Sequence, residues 1–389
     1  MTLTITPSRL SGRVTPPPSK SQAHRVLIAA ALAGEGSEIR NLAPSQDIEA
    51  TQRCLAALQT GEGLLDCGES GSTLRFLIPV TLALRGGARF TGQGRLMERP
   101  LSPYFDLFAQ KGIHYEQTDG VLTVRGQLTP GECLLPGNVS SQFVSGLLFA
   151  LPLLEGESRI MLTSELESRA YVDMTLDALA AFGVEARWLD RRTLLVPGGQ
   201  RYTPAKVTVE ADWSQAGFWY AALGLGNQVE IQGLNPLSSQ GDMRCVPYYV
   251  KLCKPGEVTL DAAQCPDLVP ELAAHAALRA GQLTHIVGAA RLRLKESDRL
   301  SAVREELCKL GAQVEEKPNS LTIRGVASLH GGIVHSHNDH RIAMMLAVAA
   351  TRATEPVVLE GAESVAKSYP TFWEDYVNLG GHIHKEETT

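Results

Sequence analysis

Residues Glu69 to Gly86 read ESGSTLRFLIPVTLALRG: small and polar residues, an arginine, then an apolar run closed by arginine and glycine. A helix start exposes N–H groups that no preceding turn can satisfy, and it carries partial positive charge. Serine and glycine at such a start, with Arg75 a turn further on, make a place where an anion can sit. The same phrase recurs at Ser19-Lys20-Ser21-Gln22, Asn138-Val139-Ser140-Ser141-Gln142, Asp212-Trp213-Ser214-Gln215, Pro266-Asp267-Leu268 and Asn338-Asp339-His340-Arg341. Apolar bodies follow each, among them RVLIAAALAG, FVSGLLFALPLLEG and RIAMMLAVAATRA. Lys20, Arg25, Arg75 and Arg341 stand at or just after these starts. Ordinary capping explains any single one of them; six recurrences with fixed cations favour a collected anion site.

Outward from each apolar helix the chain repeats itself. A short strand-like run comes next, as in SEIRNL, ARFTGQ, SRIMLTSEL, NQVEIQGL, LTHIVGA and PVVLEGA. A second helix follows with one wet face. In DIEATQRCLAAL, Asp47 is placed to cap, and Ile48, Leu55 and Leu58 share a face. In YVDMTLDALAAFG the stripe is Val172, Leu176, Leu179 and Phe182, with Gly183 as the stop. Strand pairs such as VEARWLDRRTLLVPG and AQVEEKPNSLTIRG come after several second helices. The expected class is α/β: six repeats, three per lobe, with the apolar helices buried inside sheets and the lobes pseudo-symmetric.

Length supports two to three domains among the 389 residues. With 36 Lys+Arg against 42 Asp+Glu the net charge is −6, which argues against a nucleic-acid or anionic-membrane partner. No apolar run is long enough to span a bilayer, and the N-terminal stretch carries no targeting pattern. Seven cysteines, an odd number without a C-x-x-C pair or regular spacing, argue against a disulfide framework or zinc ribbon and fit reduced thiols better. A soluble, cytoplasmic protein that gathers cations around a small anion is expected.

Several segments carry candidate chemistry. Pro16-Pro17-Pro18-Ser19-Lys20-Ser21 fixes the approach of the chain to a helix start bearing an ammonium and two hydroxyls. The 68–73 loop lacks the spacing of a nucleotide P-loop, and no G-x-G-x-x-G follows a strand. Arg99, preceding Pro100, is held extended and can reach across a cleft. In RLRLKESDR the leucines alternate with cations, so Arg291, Arg293 and Lys295 are expected on one strand face, with Glu296 opening the next helix. A carboxylate amid so many cations suits proton transfer, although Glu296 and Arg299 could equally form a local ion pair. HSHNDHR lacks metal-binding spacing, and Asp339-His340-Arg341 reads better as a cap followed by a cation.

The ordered motifs PPSKSQAHR, GESGSTLR, ERP, VSSQF, RLKESDRL, DHRIAM and AKSYP closely resemble the 5-enolpyruvylshikimate-3-phosphate synthase family over the full length. That resemblance implies a two-lobed inside-out α/β barrel of six βαβαββ-type repeats. Residues 1–18 with 211–389 would form one lobe and 19–210 the other. It also implies transfer of the enolpyruvyl group of phosphoenolpyruvate to the 5-hydroxyl of shikimate 3-phosphate, by a monomer needing no metal or organic cofactor. Carried over by position, Lys20, Gly71, Arg99, Gln142, Arg299, Arg341 and Lys367 would hold phosphoenolpyruvate. Lys20, Ser21, Arg25, Ser140, Ser141, Gln142, Ser168, Tyr171, Asp267 and Lys295 would hold shikimate 3-phosphate. Asp267, Glu296 and Lys20 would be catalytic, and Arg75 would support the Gly71 helix start. Arg291, the Glu69-Ser70-Gly71-Ser72-Thr73 loop and Phe76 depart from the common family pattern. The sibling enzyme that acts on UDP-N-acetylglucosamine is the alternative, but its loop cysteine has no counterpart here.

Overall fold

The computed structural model describes residues 1–386, and the chain divides into two compact units, Met1–Pro17 with Ala211–Thr389 and Pro18–Glu210. The first unit opens with strands β1 (Thr2–Thr6) and β2 (Ser11–Val14). The second unit runs α1 (Lys20–Ala33), β3 (Glu38–Arg40), α2 (Gln46–Thr60), β4 (Leu64–Asp66), α3 (Gly71–Arg85) and β5 (Gly87–Thr91). It continues with α4 (Ser102–Lys111), β6 (His114–Thr118), β7 (Val121–Arg125), β8 (Gly131–Leu135), α5 (Ser141–Ala150) and β9 (Ser158–Leu162). It ends in α6 (Arg169–Ala181), β10 (Arg187–Trp188), β11 (Thr193–Val196) and β12 (Lys206–Thr208). The first unit resumes with α7 (Trp213–Gly224), β13 (Gln228–Ile231), α8 (Cys245–Leu252), β14 (Val258–Asp261), α9 (Val269–Ala277) and β15 (Leu283–Val287). Then come α10 (Arg299–Lys309), β16 (Gln313–Lys317), β17 (Ser320–Arg324), β18 (Gly332–His335), α11 (His340–Ala350), β19 (Val357–Glu360), α12 (Phe372–Asn378) and β20 (His382–Lys385).

The units use the same kit of sheets. In Pro18–Glu210 the orders are β4-β5-β7-β6, β10-β11-β9-β8 and the pair β12-β3. In the other unit they are β14-β15-β17-β16, β18-β19-β1-β20 and the pair β13-β2. Every four-stranded sheet joins one parallel pair to antiparallel neighbours, as β4 with β5, then β7 and β6. The N-terminal strand β1 fills the hairpin position of its sheet, lying antiparallel to both β19 and β20.

The apolar bodies lie inside, as their all-round hydrophobicity requires. Every residue of α9 and α11 is buried, and α3 packs against α5 in the second unit's core. Five of the six starts carry the expected side-chain caps: Ser19, Ser70, Ser140, Asp212 and Asp339. The fifth start, Pro266–Leu268, is instead a 3-10 turn leading into α9 without a side-chain cap. Pro79 inside α3 removes the N–H that would reach the Arg75 carbonyl. The buried Tyr104 hydroxyl donates to that carbonyl at 2.7 Å, so the broken rung is filled from α4.

Three local expectations need correction. Ser45, not Asp47, caps α2, accepting from the Ile48 amide; Asp47 sits one position past the helix start and turns to Lys20. Residues 290–294 form a 3-10 turn rather than a strand. Both edges of β15, the strand just before them, are already taken by β14 and β17. Leu292 is fully buried while Leu294 is exposed, so the alternation did not mark one face. Finally, Glu296 lies ahead of the helix it was expected to open: Asp298 caps α10, which begins at Arg299.

Candidate active site

Within Pro18–Glu210 the helix starts supply one cluster. Lys20, in the first turn of α1, places its ammonium 2.7 Å from Asp47 of α2, and both side chains are largely buried. Gly71 opens α3, and a Cβ there would meet Arg75 Nη1 and Arg99 Nη1, each at 2.7 Å. Only glycine lets two guanidinium groups close in over that helix start. Arg75 also donates to Gln142 Oε1 at 3.0 Å and to the Pro100 carbonyl, while Gln142 donates to Ser72 Oγ at 2.9 Å. The starts of α3 and α5 are thereby tied together. Arg99 is extended, as its place before Pro100 demands, and its buried Nε has no hydrogen-bond partner among the described residues.

Arg25 is fully buried under Ser21. It donates to the Ser21 and Tyr171 carbonyls and to the Thr175 and Ser145 hydroxyls, and it lies over the Phe76 ring. Burial pulls its pKa down to about 10. Ser140 caps α5 and Ser141 is buried beside it. Ser168 holds a left-handed conformation (φ 58°) ahead of α6, and its carbonyl accepts from the Tyr171 amide. Such a conformation costs a serine energy and is found where a site fixes it.

In the other unit a second cluster is built from α9, α10, α11 and the turns before them. Arg299, almost wholly buried, donates to Asp339 at 2.8 Å, Asp267 at 2.9 Å and Glu296 at 2.6 Å. Burial works against its charge, but the Asp339, Glu296 and Asp267 carboxylates raise its pKa further than burial lowers it. Lys295 approaches the same Asp267 oxygen at 3.0 Å. Burial would raise the Asp267 carboxyl, yet Lys295, Arg341 and Arg299 together hold it well below the usual carboxylate range. Burial lowers the Lys295 ammonium, against the pull of Asp267. Arg341 is anchored by Ser214 Oγ and the Asp267 carbonyl, and Lys367 donates to the Asn338 carbonyl at 2.6 Å. His337 and Asn338, just before α11, are both left-handed. Arg291 donates to the Ala263 carbonyl.

The structure thus gathers Lys20, Gly71, Arg99 and Gln142 in one unit, and Asp267, Lys295, Glu296, Arg299 and Arg341 in the other. Sequence reasoning missed their partners Asp47, Asp339 and Ser214. Asp339 was read only as a cap, although Arg299 donates to both of its oxygens, including the one that caps α11. Of the histidines considered for metal, His337 joins Glu305 and Glu306, but the Lys309 ammonium already lies on both carboxylates. No described helix is long and apolar enough to cross a membrane.

Fold and side-chain clusters together describe an α/β protein whose helix starts carry or adjoin buried arginines. The chain belongs to the EPSP synthase (3-phosphoshikimate 1-carboxyvinyltransferase) family, whose profile matches residues 5–63, 58–259 and 248–376. It is 45% identical to the 3-phosphoshikimate 1-carboxyvinyltransferase of Clostridium kluyveri, over 98% of each chain. The fold is similar to EPSP synthase from Acinetobacter baumannii, with a TM-score of 0.79, 23% identity and coverage of 99% of this chain and 100% of that one. It is also similar to the enolpyruvyl transferase NikO from Streptomyces tendae, with a TM-score of 0.77, 20% identity and 98% coverage of both chains.

Proposed function

We propose that the protein transfers the enolpyruvyl group of phosphoenolpyruvate to the 5-hydroxyl of shikimate 3-phosphate, releasing phosphate, on the route to chorismate and the aromatic amino acids. The observation that carries this reading is the knot of Asp267, Glu296 and Asp339 around Lys295, Arg299 and Arg341, where proton carriers and anion-binding cations share one place. Each substrate bears a phosphate and a carboxylate, and arginine forks suit both groups. Lys20, Gly71, Arg99, Gln142, Arg299, Arg341 and Lys367 are assigned to phosphoenolpyruvate. Lys20, Ser21, Arg25, Ser140, Ser141, Gln142, Ser168, Tyr171, Asp267 and Lys295 are assigned to shikimate 3-phosphate. Residues 1–18 with 211–389, and 19–210, are taken as the two lobes of an inside-out α/β barrel with three βαβαββ repeats each; the matched kits of sheets support this. The enzyme acts as a cytoplasmic monomer.

In the addition step the 5-hydroxyl oxygen bonds to the phosphoenolpyruvate C2 and passes its proton to Asp267, while protonated Glu296 delivers a proton to the methylene carbon. In the elimination step Glu296 takes a proton back from the new methyl, the C–O bond to phosphate breaks, and phosphate leaves with the proton held on Asp267. Lys20 stabilises the charge on the departing phosphate. With Lys295, Arg299 and Arg341 drawn to it, Asp267 is a weak base. Substrate anions that engage those cations relieve their pull and bring its basicity into working range. The test is phosphate release from phosphoenolpyruvate with either shikimate 3-phosphate or UDP-N-acetylglucosamine as acceptor. Release with shikimate 3-phosphate alone is expected; release only with the UDP sugar overturns the reading.

A further inference from the structure

Beneath the Lys20–Asp47 pair runs a buried chain of side chains that the reaction above does not use. His24 lies one turn after Lys20 on α1, and Thr51 one turn after Asp47 on α2, so the two helices are pinned by two successive rungs. His24 Nδ1 and Thr51 Oγ1 are 2.7 Å apart, and Thr51 Oγ1 and Thr73 Oγ1 are 2.6 Å apart. Thr73 Oγ1 then donates to Ser70 Oγ at 2.7 Å, and Ser70 also accepts from the Thr73 amide as the cap of α3. All four residues are fully buried.

Counting hydrogens gives the chain a direction. A threonine hydroxyl has one proton to give. Thr73 spends its proton on Ser70. The Thr51 proton has the Asp47 carbonyl at 3.4 Å as a second acceptor, but the shorter 2.6 Å contact directs it to Thr73, and His24 Nδ1–H then donates to Thr51. The ring is neutral, since burial first, and then Lys20 and Arg25, push its pKa well below the ordinary histidine value. Its Nε2 accordingly carries a lone pair, and it has no partner among the described residues. A hydroxyl left without a partner in such surroundings costs stability, so each link holds the next in place. The chain ends on the cap of the helix whose first residue is Gly71, where Arg75 and Arg99 converge.

We propose that His24, Thr51 and Thr73 are positioning residues for phosphoenolpyruvate binding: their relay holds the α3 start, with Gly71 and its two arginines, in register with Lys20 on α1. This rests on the assignment of Lys20, Gly71 and Arg99 to phosphoenolpyruvate. The bland reading is that four buried hydroxyl and ring groups merely satisfy one another. The two readings separate in Thr51→Val, which keeps the shape and removes the proton, and in Thr51→Ser, which restores the hydroxyl.

In Thr51→Val the KM for phosphoenolpyruvate should rise about tenfold, the loss of roughly one hydrogen bond. The KM for shikimate 3-phosphate should stay within about twofold. Thr51→Ser should return both to wild-type values. Amide hydrogen exchange in the ligand-free protein reads the lock without turnover: at Thr73 and Leu74 it should quicken by about tenfold in Thr51→Val and recover in Thr51→Ser. Unchanged exchange at Thr73 and Leu74 overturns the inference. So does an equal rise in both KM values that accompanies a lower melting temperature. A wild-type protein that fails to release phosphate from these substrates counts against the functional assignment instead, and the exchange measurement still decides the relay.

Discussion

At the scale of single residues, Gly71 separates binding from stability most cleanly. A methyl group there would meet two guanidinium ends at 2.7 Å. Both are tips of flexible side chains, so they swing away while the backbone stays. Alanine also favours a helical first turn by up to about 1 kcal/mol over glycine. Gly71→Ala is therefore expected to melt at or slightly above the wild-type temperature while its KM for phosphoenolpyruvate rises about tenfold, near the worth of one charge-assisted hydrogen bond. A lower melting temperature with an unaltered KM would remove Gly71 and Arg99 from the binding role. Glu296→Gln keeps an acceptor for Arg299 but cannot carry the proton, so kcat should fall by at least about a hundredfold with KM little changed. Equal damage to both would assign Glu296 to holding Arg299. Lys20, Arg25, Arg75 and Arg341 were legible in the sequence because each stands at or just after a recognisable helix start, whereas Arg99 was read from its place before Pro100 and Lys367 only through the family motifs. The carboxylate partners of the cations were not legible. Asp47 lies 27 positions from Lys20, and Asp339 lies 40 from Arg299, so only the folded chain reveals either pairing.

Among the elements, the contact between α7 and α9 shows how helices make room for polar groups. Gly217 and Gly224 of α7 face Glu271 and His275 of α9; a Cβ at Gly217 would stand 2.6 Å from Glu271 Oε1, and one at Gly224 would strike the His275 ring. Glu271 is buried, and its carboxyl oxygens have no partner among the described residues beyond its own amide. Burial is the main force raising its pKa well above the ordinary value; Arg341 partly opposes this, while Asp242 and Asp267 add to it. The folded protein thus keeps a proton on Glu271 that the unfolded chain gives up above about pH 4.3. The unfolded state then binds fewer protons, so this residue's contribution to stability falls as pH rises. Glu271→Gln lacks that dependence. Its stability relative to wild type should improve by about 1.4 kcal/mol per pH unit until the folded-state carboxyl ionises. Urea midpoints at pH 5 and pH 8 measure the difference, and an identical gap at both would mean that Glu271 is charged in the fold. Most elements were readable from periodicity and caps. The 290–294 turn was not, because alternating residues fit a short 3-10 turn as well as a strand, and only the folded chain decides between them.

For the molecule as a whole, each unit brings two four-stranded sheets and one strand pair, and each presents its own cationic cluster. The repetition was visible in the sequence, but the exchange that seats β1 between β19 and β20 was not, since nothing local in TLTIT specifies a partner more than 350 residues away. Repetition alone would be satisfied by two units that bind ligands independently. The chemistry asks for more: the assigned acid and base, Glu296 and Asp267, belong to one unit, while Lys20, Gly71 and Arg99 belong to the other. Under the proposed assignment, ligand binding slows amide exchange at the assigned residues of each unit, because binding to a folded state suppresses its local openings in proportion to ligand affinity. With shikimate 3-phosphate alone, protection is expected at the starts of α1 and α5, around Ser168 and Tyr171, and at Asp267 and Lys295. Adding phosphoenolpyruvate should extend it to the start of α3, to Arg299 and to the start of α11. Protection confined to Pro18–Glu210 would leave Arg299 and its carboxylates as a structural ion-pair network, and the assignment of Asp267 and Glu296 to proton transfer would fail with it.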